Sequence, residues 1–183
     1  MPVLIEKPVA MASDDAKMLL EKAKLNDSIV FAGHTRLYSN AWRAFRDRAK
    51  SEGIYSVYAT AGGKGNIYPL WDWGPHLIAM CIDIGFDPRR AHIVVGEEEQ
   101  PLDFFVNGQH RFRDVQETPT PLQVLLGEFT VAIKLGEPNY AAMELALDVT
   151  EVLEESEKAN DERMKEAAML AHRDRQPAGT VWH

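Results

Sequence analysis

The sequence predicts an α+β protein. It should hold a short β-α-β unit, then a mixed sheet covered by helices, then a C-terminal helical extension. Three observations lead there. Two apolar runs near the N-terminus flank one amphipathic helical segment, and such a crossover demands a parallel strand pair. Between Arg90 and Val115 the chain reads as two or three short strands, with Asn107-Gly108 as a hairpin turn signal. From Glu154 to Arg175 it becomes strongly charged while staying helix-prone.

The elements follow in order. Val3 to Ile5 reads as a buried strand, and Ser13 is expected to cap a helix whose first turn carries Asp14 and Asp15. Ala16, Leu19, Leu20 and Ala23 give that helix one apolar face, and Ser28 to Ala32 makes the second strand, ending at Gly33-His34. A parallel pair of strands needs covering from elsewhere. Ser39 caps a second helix, with Trp42, Phe45 and Ala49 facing inward and Glu52-Gly53 at its end. Ile54 to Ala61 alternates as a strand. The third helix is expected to start near Asp72 or Trp73 and run to Gly85, with Pro75 in its first turn.

Pro121 opens a fourth helix, with Leu122, Leu125, Leu126, Phe129 and Ile133 at helical spacing and Gly136 and Pro138 closing it. Ala142, Leu145, Val149, Val152 and Leu153 mark the next. Beyond it, Met164, Ala168 and Ala171 leave only a thin apolar stripe, as expected of an exposed or partner-packed tail.

Composition narrows the function. The chain has 183 residues, 45% hydrophobic and 26% charged, ordinary values for a globular protein with one substantial core. A formal net charge of −8 argues against a nucleic-acid partner, since phosphate binding needs clustered Lys and Arg. Arg43, Arg46 and Arg48 are mixed with acids or spread over helix faces, as on a solvated surface. Met1 to Ile5 is too short for a signal segment, and no apolar run approaches the roughly 18 residues of a membrane helix. A cytoplasmic protein without a membrane partner is expected. The single cysteine, Cys81, sits in an apolar run and reads as a buried structural thiol.

Two groups carry chemistry. Asp72 and His76 are four positions apart, so a helix puts them on one face, where a carboxylate can stabilise an imidazolium and orient it for proton transfer. A surface ion pair or a core histidine explains the same spacing. His34 and Arg36 follow a strand terminus, where α/β folds place ligand contacts. Arg36 can bind a hydroxyl or an anionic substituent, or close a structural ion pair. Trp71 and Trp73 can stack on the ring of a ligand, although packing is the commoner role of such aromatics. Gly63-Lys64-Gly65 follows a strand, but Tyr68 stands where a dinucleotide loop needs its third glycine, so the fingerprint fails. There is no HExxH and no cysteine cluster, so no metal site is expected.

Four segments in order resemble the Gfo/Idh/MocA oxidoreductases, the relatives of glucose-fructose oxidoreductase and inositol dehydrogenase. They are Glu6-Lys7-Pro8 before a helix, Gly33-His34-Thr35-Arg36-Leu37-Tyr38-Ser39, Trp71-Asp72-Trp73-Gly74-Pro75-His76, and Pro121 through Glu128-Phe129, Ala132-Ile133 and Gly136-Glu137-Pro138. Val152-Leu153 and Ser156 continue the likeness.

The resemblance implies that the opening β-α-β unit is the remnant of a Rossmann domain. It implies His76 as acid/base, Asp72 as its orienting partner or a substrate contact, and Lys7 as the group polarising the substrate oxygen beside the nicotinamide. Glu6, Lys7 and Pro8 would then be the cofactor contacts, with His34, Arg36 and Trp73 on a sugar or polyol substrate. NAD or NADP would be the cofactor.

Two departures qualify this. Only Met1 and Pro2 precede the first strand, so a chain lacking most of the Rossmann domain is expected, and with it no tight cofactor binding by this chain alone. The stretch from Arg90 to Pro119 is short for the family's large open sheet, so a reduced sheet is expected. The divisions are residues 1–36 for the nucleotide-binding remnant, 37–157 for the C-terminal α/β domain and 158–183 for the charged tail. Three functions stay open: a dehydrogenase-like chain inactive alone, a non-catalytic module that binds a sugar or a protein partner or oligomerises, or a chain whose cofactor half is supplied by a separate polypeptide. The unpaired edge beside Val3 to Ile5 makes a homo-oligomer, dimer or larger, the expected assembly.

Overall fold

A computed structural model of the chain describes residues 1–64, 69–96 and 98–174, with backbone only over 168–174. The architecture is α+β, as the sequence predicts. Strand β1 (Val3–Glu6) lies parallel to β2 (Val30–Gly33), in register from Val3 opposite Val30 to Glu6 opposite Gly33. Helix α1 (Ser13–Leu25) makes the crossover. Its Ala16, Leu20 and Ala23 join Val30 and Ala32 in one cluster with Met143 and Ala146 of the last helix. That helix supplies the cover a parallel pair requires. Among the described residues β1 has no partner on its outer edge.

Helix α1 differs from expectation at its start. Ala12 occupies the capping position without a side-chain bond, and Ser13 is already the first helical residue. Asp14 and Asp15 still face the positive end of the helix dipole.

A 3-10 turn (Thr35–Tyr38) leads to α2 (Asn40–Glu52). Here the expected cap forms: Ser39 Oγ accepts the Trp42 N–H at 3.0 Å, and Gly53 ends the helix with φ of 79°. Trp42, Phe45 and Ala49 press on the main sheet. Trp42 stands edge-on to Phe104 and Phe112, with ring centroids 5.2 and 5.3 Å away, and its indole N–H is bonded to Asp83. This geometry matches the preferred aromatic packing while satisfying the indole donor.

The main sheet has the order β4-β3-β5-β6, with β3 (Val57–Gly62) parallel to β4 (His92–Gly96) and antiparallel to β5 (Gln100–Val106), which pairs with β6 (His110–Arg113). It is the reduced mixed sheet the sequence implies. Asn107 and Gly108 turn the hairpin with φ of 57° and 67°, the left-handed pair a tight hairpin demands. Strand β3 starts later than Ile54 for a local reason. The Asn107 side chain accepts Tyr55 N–H and donates to Gly53 C=O, holding residues 54–56 as part of a turn.

Helix α3 (Pro69–Asp83) begins before Asp72, so Pro75 lies inside it and not in its first turn. Pro75 removes the N–H that Trp71 C=O would otherwise accept. One face of α3, with Leu77, Met80 and Cys81, packs on the sheet, and the other, with Trp71, Ile78 and Ala79, meets α5 (Ala141–Asp174) at Val149, Val152 and Leu153. Cys81 is fully buried, and burial pushes its thiol up to about 12, as fits a structural residue. Trp71 is buried too, its indole donating to Glu157, which favours packing as its role.

Helix α4 (Pro121–Leu135) carries a reciprocal Thr120–Gln123 capping box and ends at Gly136 in the left-handed region. Of its leucines only Leu125 is buried, while Leu122, Leu126, Val131, Ile133 and Leu135 are exposed. Helix α5 runs unbroken through residues 157 and 158 and exposes Met164. The side chains of Ala168 and Ala171, like Tyr68 and the chain after Asp174, lie outside the described residues. No helix among those described is long and apolar enough to cross a membrane.

Candidate functional site

The ends of β1 and β2, the first turns of α3 and the segment after β6 converge on one polar cluster. Lys7 follows β1 and is nearly buried, at 12% side-chain exposure. Its Nζ lies 2.8 Å from Asp72 Oδ1 and also donates to the Asp72 carbonyl. The Asp72 carboxylate therefore serves Lys7. Glu6 turns back and accepts the Lys7 backbone N–H at 3.2 Å, and Pro8 begins the link to α1.

His76 sits two turns into α3 with 8% exposure, and its Nδ1 has no hydrogen-bond partner. Burial holds the His76 ring well below its ordinary range, and the positive Lys7 and Arg36 and the neighbouring His34 act in the same direction. His76 is thus a neutral base at pH 7. His34, after β2, is 2% exposed, and burial, assisted by Lys7, lowers it to about 4. Neither of its ring nitrogens has a partner.

Arg36 forms an ion pair with Asp114, one residue beyond β6. This decides the charge state of that corner: the guanidinium is already matched. Burial raises the Asp114 carboxyl, and Arg36 opposes the rise. Glu117 completes the group. Its Oε2 accepts the N–H groups of Asn40 and Ala41 at the start of α2, at 3.0 and 3.4 Å, a carboxylate at the positive end of a helix dipole.

Trp73 packs partly on the core and tilts its ring 6.1 Å from that of His76. Gly63 permits this approach, because a Cβ there would lie 2.8 Å from Trp73 Nε1. The glycine that fails as a dinucleotide turn has a packing reason. Gly62, Gly63, Trp73, Gln100 and Asp114 line a cleft of about 610 Å³, with Lys64 and Glu99 beside it.

Unpaired polar atoms are common in this cluster. Among the described residues, every buried side-chain nitrogen or oxygen without a hydrogen-bond partner belongs to this cluster. They are both nitrogens of His34, Arg36 Nε, Trp73 Nε1, His76 Nδ1, Asp114 Oδ1 and Glu117 Oε1. Folded proteins pair nearly all such groups, so a concentration of unpaired donors and acceptors marks a place built for a ligand or ordered water. The sequence singled out His34, Arg36, Trp73 and His76, and the structure brings them together with Lys7 and Asp72. Asp114 and Glu117 escaped it, for they belong to no motif and reach the cluster only through the β5–β6 register.

No protein-family model matches the chain, and no curated protein matches it. Solved structures do match. A dehydrogenase from Chromobacterium violaceum superposes with a TM-score of 0.70 at 14% identity, over 93% of this chain and 73% of that one. A Magnetospirillum magnetotacticum MS-1 protein named as an oxidoreductase gives 0.69 at 21% identity, over 83% and 71%. KijD10, a 3-ketoreductase from Actinomadura kijaniata solved with TDP-benzene and NADP, gives 0.66 at 14% identity, over 83% and 68%. The structural neighbours are oxidoreductases. At these identities the likeness is one of fold.

Proposed function

We propose that this chain provides the substrate-binding and proton-transfer groups of an oxidoreductase of the Gfo/Idh/MocA type, related to NAD(P)-dependent dehydrogenases of sugars and polyols. The observation that carries this reading is a neutral, buried His76 with a free Nδ1 beside the Lys7 ammonium. Alcohol oxidation releases a proton and a hydride, and a base with a lowered pKa beside a cation suits the proton. In this reading Lys7 Nζ donates to the substrate oxygen and His76 takes the hydroxyl proton. His34, Arg36 and Trp73 orient the remaining substrate hydroxyls. Asp72 holds Lys7 in place.

The described residues do not fit the pyrophosphate of a dinucleotide. The link from Lys7 to Ala12 contains no glycine, and Asp14 and Asp15 place two like charges where a phosphate would meet the N-terminus of α1. Glu6, Lys7 and Pro8 keep their place as the proposed nicotinamide-side contacts. Residues 1–36, 37–157 and 158–183 are proposed as the nucleotide-binding remnant, the α/β domain and the tail. NAD(P)H binding by this chain alone should be weak, and a micromolar Kd in a fluorescence titration contradicts that. The test of function is nicotinamide reduction by the full chain at high NAD or NADP with a sugar and polyol panel. Slow turnover lost in His76→Asn supports the reading, and turnover that survives the substitution refutes it.

A second reading, a non-catalytic module that binds a sugar or a partner or self-associates, is favoured by two surfaces. They are the open β1 edge and the exposed apolar residues of α4. It predicts a dimer or larger species in sedimentation. A monomer at high concentration counts against it.

A further inference from the structure

The unpaired atoms of the cluster differ in kind, and the difference bears on substrate charge. Asp114 Oδ1 and Glu117 Oε1 can only accept when ionised, whereas Arg36 Nε and Trp73 Nε1 can only donate. These atoms belong to one neighbourhood: Arg36 pairs with Asp114, Asp114 feels the charge of Glu117, and Asp114 and Trp73 line the same cleft. A hydroxyl is the group that both donates and accepts. Two adjacent hydroxyls can give their protons to the carboxylate oxygens and take bonds from the guanidinium and indole.

The charges agree with this. Lys7 and Arg36 face Asp72, Asp114 and Glu117, while Lys64 and Glu99 beside the cleft offset one another. With His34 and His76 neutral, these groups sum to a net negative charge, to which Glu6 beside Lys7 adds. Arg36, the residue that would otherwise receive an anionic substituent, is already matched by Asp114.

We propose that Asp114 and Glu117 are specificity-determining residues that hold adjacent hydroxyls of a neutral sugar or polyol and reject substrates bearing a carboxylate or phosphate at that end. The proposal rests on the reading of the cluster as a site for hydroxylated substrates. It decides a choice that Arg36 alone leaves open. The two carboxylates come from the segment after β6, so their placement depends on the reduced sheet. That sheet brings Arg113 opposite Asp103 and delivers the next residue to Arg36.

Equilibrium binding to the full chain without cofactor tests this, by calorimetry or saturation-transfer NMR. The probes are glucose and inositol as neutral ligands, with glucuronate and glucose 6-phosphate as anionic ones. The wild-type protein should bind a neutral probe at least about tenfold more tightly than its anionic counterpart, a modest consequence of like-charge opposition. Asp114→Asn frees Arg36 and should shrink or invert that ratio, and Glu117→Gln should move it the same way. Circular dichroism shows whether each variant is folded, and the wild-type ratio stands without them.

Anionic probes binding as well as neutral ones overturn the proposal, and so does the absence of binding by any probe. An unchanged ratio in folded Asp114→Asn overturns it too. Failure of the oxidoreductase reading would appear separately, as absent turnover with the binding ratio intact.

Discussion

His34 offers the sharpest physical prediction, because it is an ionisable group buried without a partner on either nitrogen. In the unfolded chain it titrates at its ordinary 6.5, and in the folded protein near 4. Between these values the unfolded state binds the proton and the folded state does not. Stability therefore falls as pH drops through that window, and the depressed folded value sets its lower end. A gap of this size corresponds to about 3 kcal/mol between pH 6.5 and pH 4.

Replacing His34 by leucine removes the titration and two unpaired polar atoms, at the cost of imperfect packing. At pH 7 the variant should match the wild type within about 1 kcal/mol or exceed it. At pH 4.5 it should be more stable by roughly 2 kcal/mol or more. Urea unfolding followed by tryptophan fluorescence at both pH values reads these differences. His76 shifts in the same direction and is present in both proteins, so its burial-driven part cancels and only the smallest part, which it owes to His34, changes with the substitution. A variant that keeps the full acid sensitivity, or loses over about 2 kcal/mol at pH 7, refutes the reasoning.

Other substitutions probe the frame around the site. Asp103 accepts two hydrogen bonds each from Arg111 and Arg113, so Asp103→Ala should cost about 1–2 kcal/mol in chemical denaturation, discounted for the half-exposed arginines. Arg111→Ala alone should cost less. A Cβ at Gly62 would stand 2.4 Å from the Glu98 carbonyl and 2.8 Å from that of Gly96. Gly62→Ala should therefore lower the thermal midpoint, by the equivalent of about 1–3 kcal/mol, because backbone must move. If α4 covers itself with a second copy, Ile133→Asp should shift sedimentation toward the monomer, and an unchanged profile removes α4 from any interface.

Local chemistry made much of the fold legible. The Ser39 cap, the closing Gly136 and the Asn107-Gly108 turn are each fixed by residues within a few positions, and each forms as expected. Expectation and structure part where distant contacts decide. Pro75 looked like a first-turn residue, yet packing of Trp71 on α5 carries helix α3 back to Pro69. Helical spacing in α4 foretold a helix but not a covered one, since periodicity does not say whether anything lies opposite. At the site, His34, Arg36, Trp73 and His76 could be named from their motifs. Asp114 and Glu117 could not, because only strand register brings them to Arg36 and the start of α2.

The central claim is that the cluster of unpaired groups around His34 and His76 is a site for a hydroxylated ligand. Histidine imidazole NMR during titration of the full chain with inositol tests it most directly. His92 and His110, on the main sheet, provide the internal comparison. The account predicts that the His34 and His76 resonances shift and saturate while those of His92 and His110 stay put. Resonances that do not move, or movement confined to His92 and His110, would contradict it.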